Sequence, residues 1–113
     1  MAPATDTPAA GPWEALDGLD PLLQHRARIA AAVLLSRHGA LSFSRLKALL
    51  GETDGNLGAQ LRKLEDAGYI GVRKEFQDRR PVTWYRLTPK GRRGLASHLE
   101  TLDRLVATAR ARD

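Results

Sequence analysis

Cysteine is absent from this 113-residue chain, and aromatic residues are few, with two each of tryptophan, tyrosine and phenylalanine. Without cysteine the chain forms no disulfide, no thiolate metal site and no thiol redox sensor. No apolar run approaches the roughly 20 residues of a membrane-spanning helix. The N-terminal residues also lack the basic region and apolar core of a secretory signal. These absences predict a cytoplasmic protein that does not act at a membrane.

Motifs for catalysis and cofactor binding are also missing. His25, His38 and His98 are single residues without HExxH or other metal-ligand spacing, and no nucleophile lies in a catalytic arrangement. No glycine-rich segment is followed by lysine in the spacing of a phosphate-binding loop. The sequence therefore predicts no enzyme activity, no cofactor and no resident metal. A zinc site between His98 of one chain and His25 of another is left open.

Positive charge is concentrated in one region of the chain. Lys and Arg number 18 and Asp and Glu number 13, which gives a net charge of +5. From Arg62 to Arg93 there are ten cationic and four anionic residues, so this region alone carries +6. The overall charge favours a polyanionic partner or a membrane surface. Because arginine and lysine neutralise phosphates, the local excess favours nucleic acid.

A helix with one apolar stripe is predicted from Thr53 onwards. Thr53 suits an N-cap, Leu57, Leu61 and Leu64 recur at helical spacing, and Gly68 suits the left-handed position beyond the last turn. At about 100° per residue, the opposite face combines small, hydrogen-bonding and cationic side chains, with Gln60 at its border. Such a face can approach DNA closely and read base edges in a major groove; an ordinary solvated helix face is the alternative. Its members are Gly55, Asn56, Ala59, Arg62, Lys63 and Asp66.

Two strands joined by a basic loop are predicted after this helix. Ile70 and Val72 alternate with other residues, and a second alternation runs from Thr83 to Leu87, as in a hairpin. The loop over residues 77–81, QDRRP, exposes two adjacent arginines, which suit a narrow minor groove. A charged hairpin tip without a partner is the alternative. Trp84 could be a groove or stacking residue, but a single tryptophan on a strand more often packs under a neighbouring helix, and that packing is expected here.

Three further helices are predicted from their capping residues. Asp20-Pro21 begins a helix that Gly39 ends, Ser42 caps a second helix that stops at Gly51, and Thr88-Pro89 begins the last one. Residues 41–43 are expected to add a short strand to the hairpin. Two helices joined by a glycine-containing turn make a helix-turn-helix unit.

The last helix carries an apolar seam that favours a homodimer. Its leucine, valine and alanine residues recur at alternating spacings of four and three, as in about two heptads of a coiled coil. Paired with the first helix of a second subunit, this seam would be sufficient; packing on the chain's own core is the alternative. The seam consists of Leu95, Leu99, Leu102, Val106 and Ala109.

The N-terminal residues have no periodic pattern and are expected to form a flexible tail. Trp13, Leu16 and Leu19 form either an apolar hook that docks on the body or on a second subunit, or incidental apolar positions in that tail.

The order of these segments resembles the winged helix-turn-helix domain of bacterial transcriptional regulators, and in particular the small MarR-like and ArsR-like regulators. The matching stretches are LSFSRLKALLG, TDGNLGAQLRKLEDAGYI and VRKEFQDRRPVTWYRLTPKGR, and the resemblance extends from residue 20 to about 102. It implies a mainly α fold with a small β-hairpin (α+β), with added N- and C-terminal dimerisation helices. A flexible tail at 1–19 would precede a single domain at 20–113, whose C-terminal dimerisation helix spans about 88–110.

The resemblance also implies a homodimer bound to a double-stranded DNA operator, with the helix from Thr53 in the major groove. The expected DNA contacts of this helix are Thr53, Asp54, Gly55, Asn56, Ala59, Gln60, Arg62 and Lys63. Those of the wing and its flanks are Arg73, Lys74, Gln77, Arg79, Arg80 and Thr83. The expected dimer interface comprises Leu23, Ala30, Leu95, Leu99, Leu102 and Val106.

Two other functions and one form of control are left open. A winged-helix module could bind protein, in which case binding would survive high salt, or it could bind nucleic acid without sequence preference. A repressor that occludes polymerase is the simplest regulator. Nothing in the sequence identifies a small-molecule effector, although a crevice between the first and last helices of a dimer would be its place.

Overall fold

The computed structural model describes residues 12–111, which form five α-helices and a three-stranded antiparallel sheet. This architecture confirms the predicted mainly α fold with a small β component. Two 3-10 turns, Leu16–Gly18 and Pro21–Leu23, precede the second helix. The helices are α1 (Pro12–Ala15), α2 (Arg26–His38), α3 (Phe43–Leu50), α4 (Asp54–Asp66) and α5 (Pro89–Arg110), and the strands are β1 (Ala40–Ser42), β2 (Ile70–Gln77) and β3 (Arg80–Leu87).

Capping residues set the bounds of the helix-turn-helix unit, α3 and α4. The Ser42 hydroxyl accepts from the Arg45 N–H at 3.1 Å, and the Thr53 hydroxyl accepts from the Asn56 N–H at 3.2 Å. Between the two helices Gly51 adopts a left-handed conformation with φ of 65°, which ends α3 and turns the chain into α4. The predicted starts of both helices are confirmed.

Leucines from all of the larger elements make one core. Leu46 of α3 and Leu57 and Leu64 of α4 are fully buried, and they meet Leu35 of α2. The apolar stripe predicted for α4 therefore faces inward. Leucines of this kind stabilise a fold by about 2–5 kcal/mol each, judged by their replacement with alanine.

The sheet has the strand order β1-β3-β2. Leu41 of the predicted short strand pairs with Tyr85 of β3, which pairs on its other side with Val72 of β2. The face carrying Tyr85 is turned towards the helices, because Ile70 and Leu87, which pair on that face, are both buried. Side chains alternate between the faces of a strand, so the register assigns every wing residue to one face.

The hairpin is tighter than the predicted five-residue loop. Asp78 and Arg79 form a two-residue turn, with φ of 52° and 68°, as in a type I′ connection that matches the twist of its strands. Arg80 and Pro81 already belong to β3, where they pair with Gln77 and Phe76. Pro81 therefore lies outside the turn, which left-handed backbone at two adjacent residues closes.

The first helix begins later than predicted. The Asp20 carboxylate accepts from the Leu22 N–H at 3.0 Å, but this cap starts only the 3-10 turn Pro21–Leu23. The chain then extends at His25, whose Nδ1 accepts from the Ala27 N–H at 3.1 Å and caps α2. The Asp-Pro pair therefore marks a helical turn that precedes the long helix.

Part of the expected N-terminal tail packs against α5. Residues 12–18 form helical turns, and Gly18 lies so close to α5 that a Cβ there would overlap the Thr101 hydroxyl. The Asp20 N–H donates to Nδ1 of the buried His98 at 2.9 Å. For residues 12–18, docking on the body replaces the expected flexible tail, while residues 1–11 lie outside the described residues.

Tyr69 joins this N-terminal segment to the base of the wing. Its hydroxyl donates to the Asp20 carboxylate, and its carbonyl oxygen lies where a Cβ on Gly91 would be. Glycine at position 91 is therefore required for this approach of α5 to the chain before β2. The hydrogen bond to Asp20, together with burial, raises the pKa of Tyr69 to about 12.

Because the pKa of Tyr69 is higher in the folded state than the ordinary value of 10.0, the phenol stabilises the fold fully below about pH 10. That contribution is lost as the pH rises towards 12. We expect the difference in free energy of unfolding between the wild type and Tyr69→Phe to be constant below pH 10 and to shrink above it. Urea unfolding at pH 8, 10 and 11.5 measures this difference, and parallel curves for the two proteins would contradict it.

Candidate nucleic-acid interface

The exposed side of α4 carries most of the predicted recognition residues. Arg62 and Lys63 are exposed, as is Asn56 in the first turn. A Cβ added at Gly55 would meet no heavy atom within 4 Å, so a partner can approach the backbone there. The other exposed members of the predicted set are Thr53, Asp54 and Ala59.

Gln60 differs from the rest of the predicted set, because only 8% of its surface is exposed. Its carboxamide is turned into the protein, where its Oε1 accepts from Nη1 of Arg28 on α2 at 2.5 Å. The expectation that Gln60 contacts DNA directly is therefore not supported by its position. The border position given by helical periodicity does not distinguish a side chain turned outward from one held inward by a neighbouring helix.

An ion pair connects the two helices of the helix-turn-helix unit at their exposed edge. Nζ of Lys47 on α3 lies 2.9 Å from Oδ1 of Asp54 in the first turn of α4. The side chains of Lys47 and Asp54 are 44% and 74% exposed, so solvent screens the pair and it adds little stability. It does offset the negative charge of Asp54 at the end of α4 that a phosphate would approach.

The strand register divides the predicted wing residues between the two faces of the sheet. Lys74 and Thr83 pair with each other on the face turned towards α4. Arg73 lies on the opposite face beside Trp84, and its Nε is 2.6 Å from the Glu75 carboxylate. Arg73 is thereby separated from Lys74 and Thr83, because neighbouring residues of a strand point to opposite sides. By the same alternation, the paired Gln77 and Arg80 lie on the side of Arg73.

The tip of the wing presents cations without a paired carboxylate among residues 12–111. Arg79 in the turn and Arg80 at the start of β3 are exposed, as is Gln77 opposite Arg80. No ion pair involves either arginine within the described part of the chain. The two guanidinium groups are therefore free to bind phosphate oxygens or to enter a minor groove.

An open cleft separates α4 from the wing. Arg62 contributes a cation from the helix side and Lys74 contributes one from the sheet side, while Glu65 and Asp66 line its far end. Burial, and secondarily the Glu65 carboxylate, raise the pKa of Tyr85 in this cleft. The acidic end disfavours phosphate, so the N-terminal half of α4 and the wing tip are the parts that suit a nucleic-acid strand.

Two residues outside the predicted set belong to this surface. Phe76 is 76% exposed and lies next to the arginine tip, on the same face of the wing as Lys74. The alternation of side chains along β2 could have identified this position of Phe76, although a phenylalanine is usually expected in the core. Arg28 reaches α4 from α2, and nothing in its local sequence indicates that long-range contact.

Trp84 does not pack under a helix as expected. It lies on the face of the sheet that also carries Arg73 and Arg86, next to an open groove that Ala40 and Gly71 also line. Its indole Nε1 is buried without a hydrogen-bond partner among the described residues.

The predicted dimer residues separate into core and surface positions. Leu23 and Leu95 are 1% and 4% exposed, so both are used by the chain's own core and offer almost no area to a second subunit. Leu99 and Val106 are 37% and 47% exposed on α5, and Leu102 between them is half-buried. Ala30 is also half-buried, and further exposed apolar side chains are Trp13, Leu16 and Val33.

Two of the three histidines, His25 and His98, make hydrogen bonds that stabilise the fold. Nδ1 of His25 caps α2, and Nδ1 of the buried His98 accepts from the Asp20 N–H. Within residues 12–111 no three His, Asp or Glu side chains converge as a metal site requires. In the same range no helix is both long and apolar enough to cross a membrane.

Comparison with known proteins places this geometry in a family. Residues 27–106 match a family model described as a winged helix DNA-binding domain. A structure of the transcriptional regulator homologue protein from Pyrococcus horikoshii OT3 superposes with a TM-score of 0.80 at 25% identity, covering 87% of this chain and 99% of that one. The Mycobacterium tuberculosis protein Rv0081 gives a TM-score of 0.68 at 26% identity, covering 88% and 92%.

A similarity in sequence extends to an uncharacterized protein of Methanocaldococcus jannaschii, which is 37% identical over 65 residues, or 58% of this chain and 71% of that protein. A zinc-responsive MarR family member from Lactococcus lactis shares the fold, with a TM-score of 0.56 at 19% identity over 74% of this chain and 56% of that one. The predicted resemblance is confirmed, and the chain belongs to the winged helix DNA-binding domain family.

Proposed function

We propose that this protein is a sequence-specific, double-stranded DNA-binding transcriptional regulator that acts as a homodimer, most simply as a repressor that occludes polymerase. Two observations carry the proposal: Arg62 and Lys63 are exposed on the outer side of α4, and Arg79 and Arg80 at the wing tip have no carboxylate partner among the described residues. Base contacts from a helix together with phosphate contacts from its flanks are what specific duplex binding requires.

In the proposed complex α4 lies in the major groove with its first turns towards the base edges. Asn56, Arg62 and Lys63 supply the hydrogen-bonding groups, and Gly55 allows a close approach. Arg79 and Arg80 reach the minor groove or its phosphates, while Lys74 and Thr83 face the DNA backbone between the two grooves. In a palindromic operator the two half-sites lie about 10 bp apart, since a symmetric dimer binds successive major grooves.

The proposed dimer forms through α5 together with the N-terminal helical turns. The seam continues beyond the buried Leu95 with Leu99, Leu102 and Val106, which the body of the chain covers only in part. Trp13 and Leu16 add exposed apolar surface on a segment that packs on α5. A small-molecule effector would bind between α2 and α5 of such a dimer and would change the distance between the two α4 helices.

Selection of bound fragments from genomic DNA by the purified protein, followed by footprinting, tests the proposal directly. We expect Arg62→Ala or Lys63→Ala to weaken binding to the selected operator by about 10-fold or more, since each removes a charge-assisted contact, and to leave dimerisation intact. Gel-shift titration and analytical ultracentrifugation measure the two properties.

The exposed Arg37→Ala, which removes a charge of the same sign from the end of α2, is the matched control and should bind normally. Unchanged affinity in both α4 variants would contradict the assigned reading face. If unrelated DNA displaces the labelled operator as effectively as unlabelled operator DNA does, sequence specificity is overturned. Binding to a protein partner that persists at high salt, with no DNA bound at low salt, would replace this function with that of a protein-interaction module.

A further inference from the structure

A continuous chain of hydrogen bonds runs through the protein to the reading face of α4. Arg28 donates from Nε to the Leu22 carbonyl oxygen at 2.6 Å and from Nη1 to Gln60 Oε1 at 2.5 Å. Gln60 Nε2 donates to Asn56 Oδ1 at 3.4 Å, and Asn56 Nδ2 donates to Glu52 Oε1 at 2.5 Å. The chain begins on the turn before α2 and ends next to the first turn of α4.

The two ends of this chain fix the orientation of both carboxamides. Arg28 can only donate and the Glu52 carboxylate can only accept. Gln60 must therefore turn its oxygen towards Arg28 and its NH₂ towards Asn56. Asn56 must in turn present its oxygen to Gln60 and its NH₂ to Glu52. A carboxamide that could otherwise rotate by half a turn is thereby held in one orientation.

We propose that Asn56 reads an adenine in each half-site, and that Gln60 and Arg28 are positioning residues that fix the Asn56 carboxamide for this contact. The inference rests on the proposed function and names the base that this site recognises. Asn56 is exposed in the first turn of α4, the part of a recognition helix that contacts base edges.

Adenine matches the groups that Asn56 has left. One N–H of its NH₂ is used by Glu52 and one lone pair of its oxygen is used by Gln60, so one donor and one acceptor stay free side by side. Adenine offers the complementary pair in the major groove, an acceptor at N7 and a donor at N6, and carboxamide side chains bind it in a bidentate manner. Guanine offers two acceptors there and would leave the Asn56 oxygen without a donor.

The position of Gln60 explains why the carboxamide is held before DNA arrives. Gln60 is 8% exposed, so its own side chain has little freedom to move. An Asn56 side chain that is already ordered loses less conformational entropy on binding than a mobile one. The gain appears at the one base pair that Asn56 reads and at no other position.

Selection from random DNA by the wild type and by Asn56→Ala locates the base pair in question. We expect the wild type to prefer adenine at one position of each half-site by roughly 5- to 150-fold, as one bidentate contact provides. Asn56→Ala should lose the preference at that position alone. A wild type that selects no sequence would overturn the proposed function itself, whereas a selected operator in which Asn56→Ala alters no adenine would overturn only this inference.

Gln60→Glu then tests the positioning role with almost no change of shape. It keeps the acceptor for Arg28 but replaces the donor to Asn56 with an oxygen, so that Asn56 lies between two carboxylates and no orientation satisfies it. We expect the adenine preference to fall below about threefold while the preferences at other positions persist. Its added negative charge lowers affinity for every probe, which leaves the ratio between probes unaffected.

Arg28→Lys provides a second variant, because lysine cannot make both bonds of the guanidinium fork; it should lose the same preference. Arg62→Ala is the matched control that weakens binding yet keeps adenine at the Asn56 position. Circular dichroism checks that each variant is folded. If Gln60→Glu does not fold, Arg28→Lys tests the positioning role. Full adenine preference in the folded variants would overturn the positioning role.

A measurement without DNA separates this inference from the proposed function. In the free protein the order parameter of the Asn56 side-chain NH₂ should lie above about 0.6, and it should fall below that value in Gln60→Met. A mobile Asn56 in the free wild type would overturn positioning by this chain of bonds, whatever sequence the protein binds.

Discussion

Replacement of both Leu99 and Val106 with aspartate is expected to give a folded monomer that binds operator DNA about 10²- to 10⁴-fold more weakly than the wild type. Both side chains are more than one-third exposed on α5 in the single chain, so the substitution leaves the core of the subunit intact. In the proposed dimer it would place four carboxylates in an apolar seam, where an unpaired charge is strongly disfavoured.

The loss of DNA affinity follows from the loss of the second subunit. In a dimer the second α4 is held next to its half-site, at an effective concentration in the millimolar range for a short connection. A monomer binds one half-site without that advantage. Analytical ultracentrifugation measures the mass, and fluorescence anisotropy with full and half operators measures the affinity.

Ser97→Asp is the control for charge on this helix. Ser97 is exposed and lies almost on the opposite side of α5 from Val106, at about 100° per residue. That variant should stay dimeric and bind normally. A dimer that persists with aspartate at positions 99 and 106 would show that the seam lies elsewhere, and normal DNA binding by a true monomer would refute the bivalent mode.

Replacement of both Arg79 and Arg80 with alanine is expected to flatten the salt dependence of operator binding. Each phosphate neutralised contributes about 0.9 to the slope of log affinity against log salt. The two arginines should therefore account for about two units in each wing, or about four in a dimer. Between 50 and 200 mM salt the affinity of the variant should fall about 10²-fold less than that of the wild type.

Titrations by fluorescence anisotropy at four salt concentrations measure the slope. Arg37→Ala combined with Arg110→Ala removes two exposed cations that lie outside α4 and the wing. This control should keep the slope of the wild type. An unaltered slope in the wing variant would remove the wing from the DNA contacts, even if the operator is still bound through α4.

The elements that could be predicted are those whose ends are set by neighbouring residues. Ser42, Thr53 and Thr88 each use a hydroxyl to accept from a backbone N–H three residues later, and this requires only the local sequence. Gly51 and Gly68 end α3 and α4 with positive φ, as their sequence positions indicated. The outer side of α4 followed from periodicity, because three leucines fix the inner side.

The details that could not be predicted depend on contacts distant in sequence. Gln60 is drawn inward by Arg28, and Leu95 is buried by the chain's own body, although each has the same local pattern as its exposed neighbours. The delayed start of α2 reflects a cap by His25, a residue that is rarely counted as a cap. The contacts of α5 with residues 12–18 depend on Gly18 meeting Thr101, and local sequence does not encode that meeting.

Arg79 occupies a place where folding and binding favour different residues. The turn that closes the wing needs left-handed backbone at its second position, and glycine adopts this conformation more readily than any side-chain-bearing residue. With φ of 68°, Arg79 destabilises the native hairpin by roughly 1 kcal/mol relative to a glycine there. The wing is thus less stable than it would be with glycine at position 79, and the residue that lowers its stability is the outermost cation of the proposed interface.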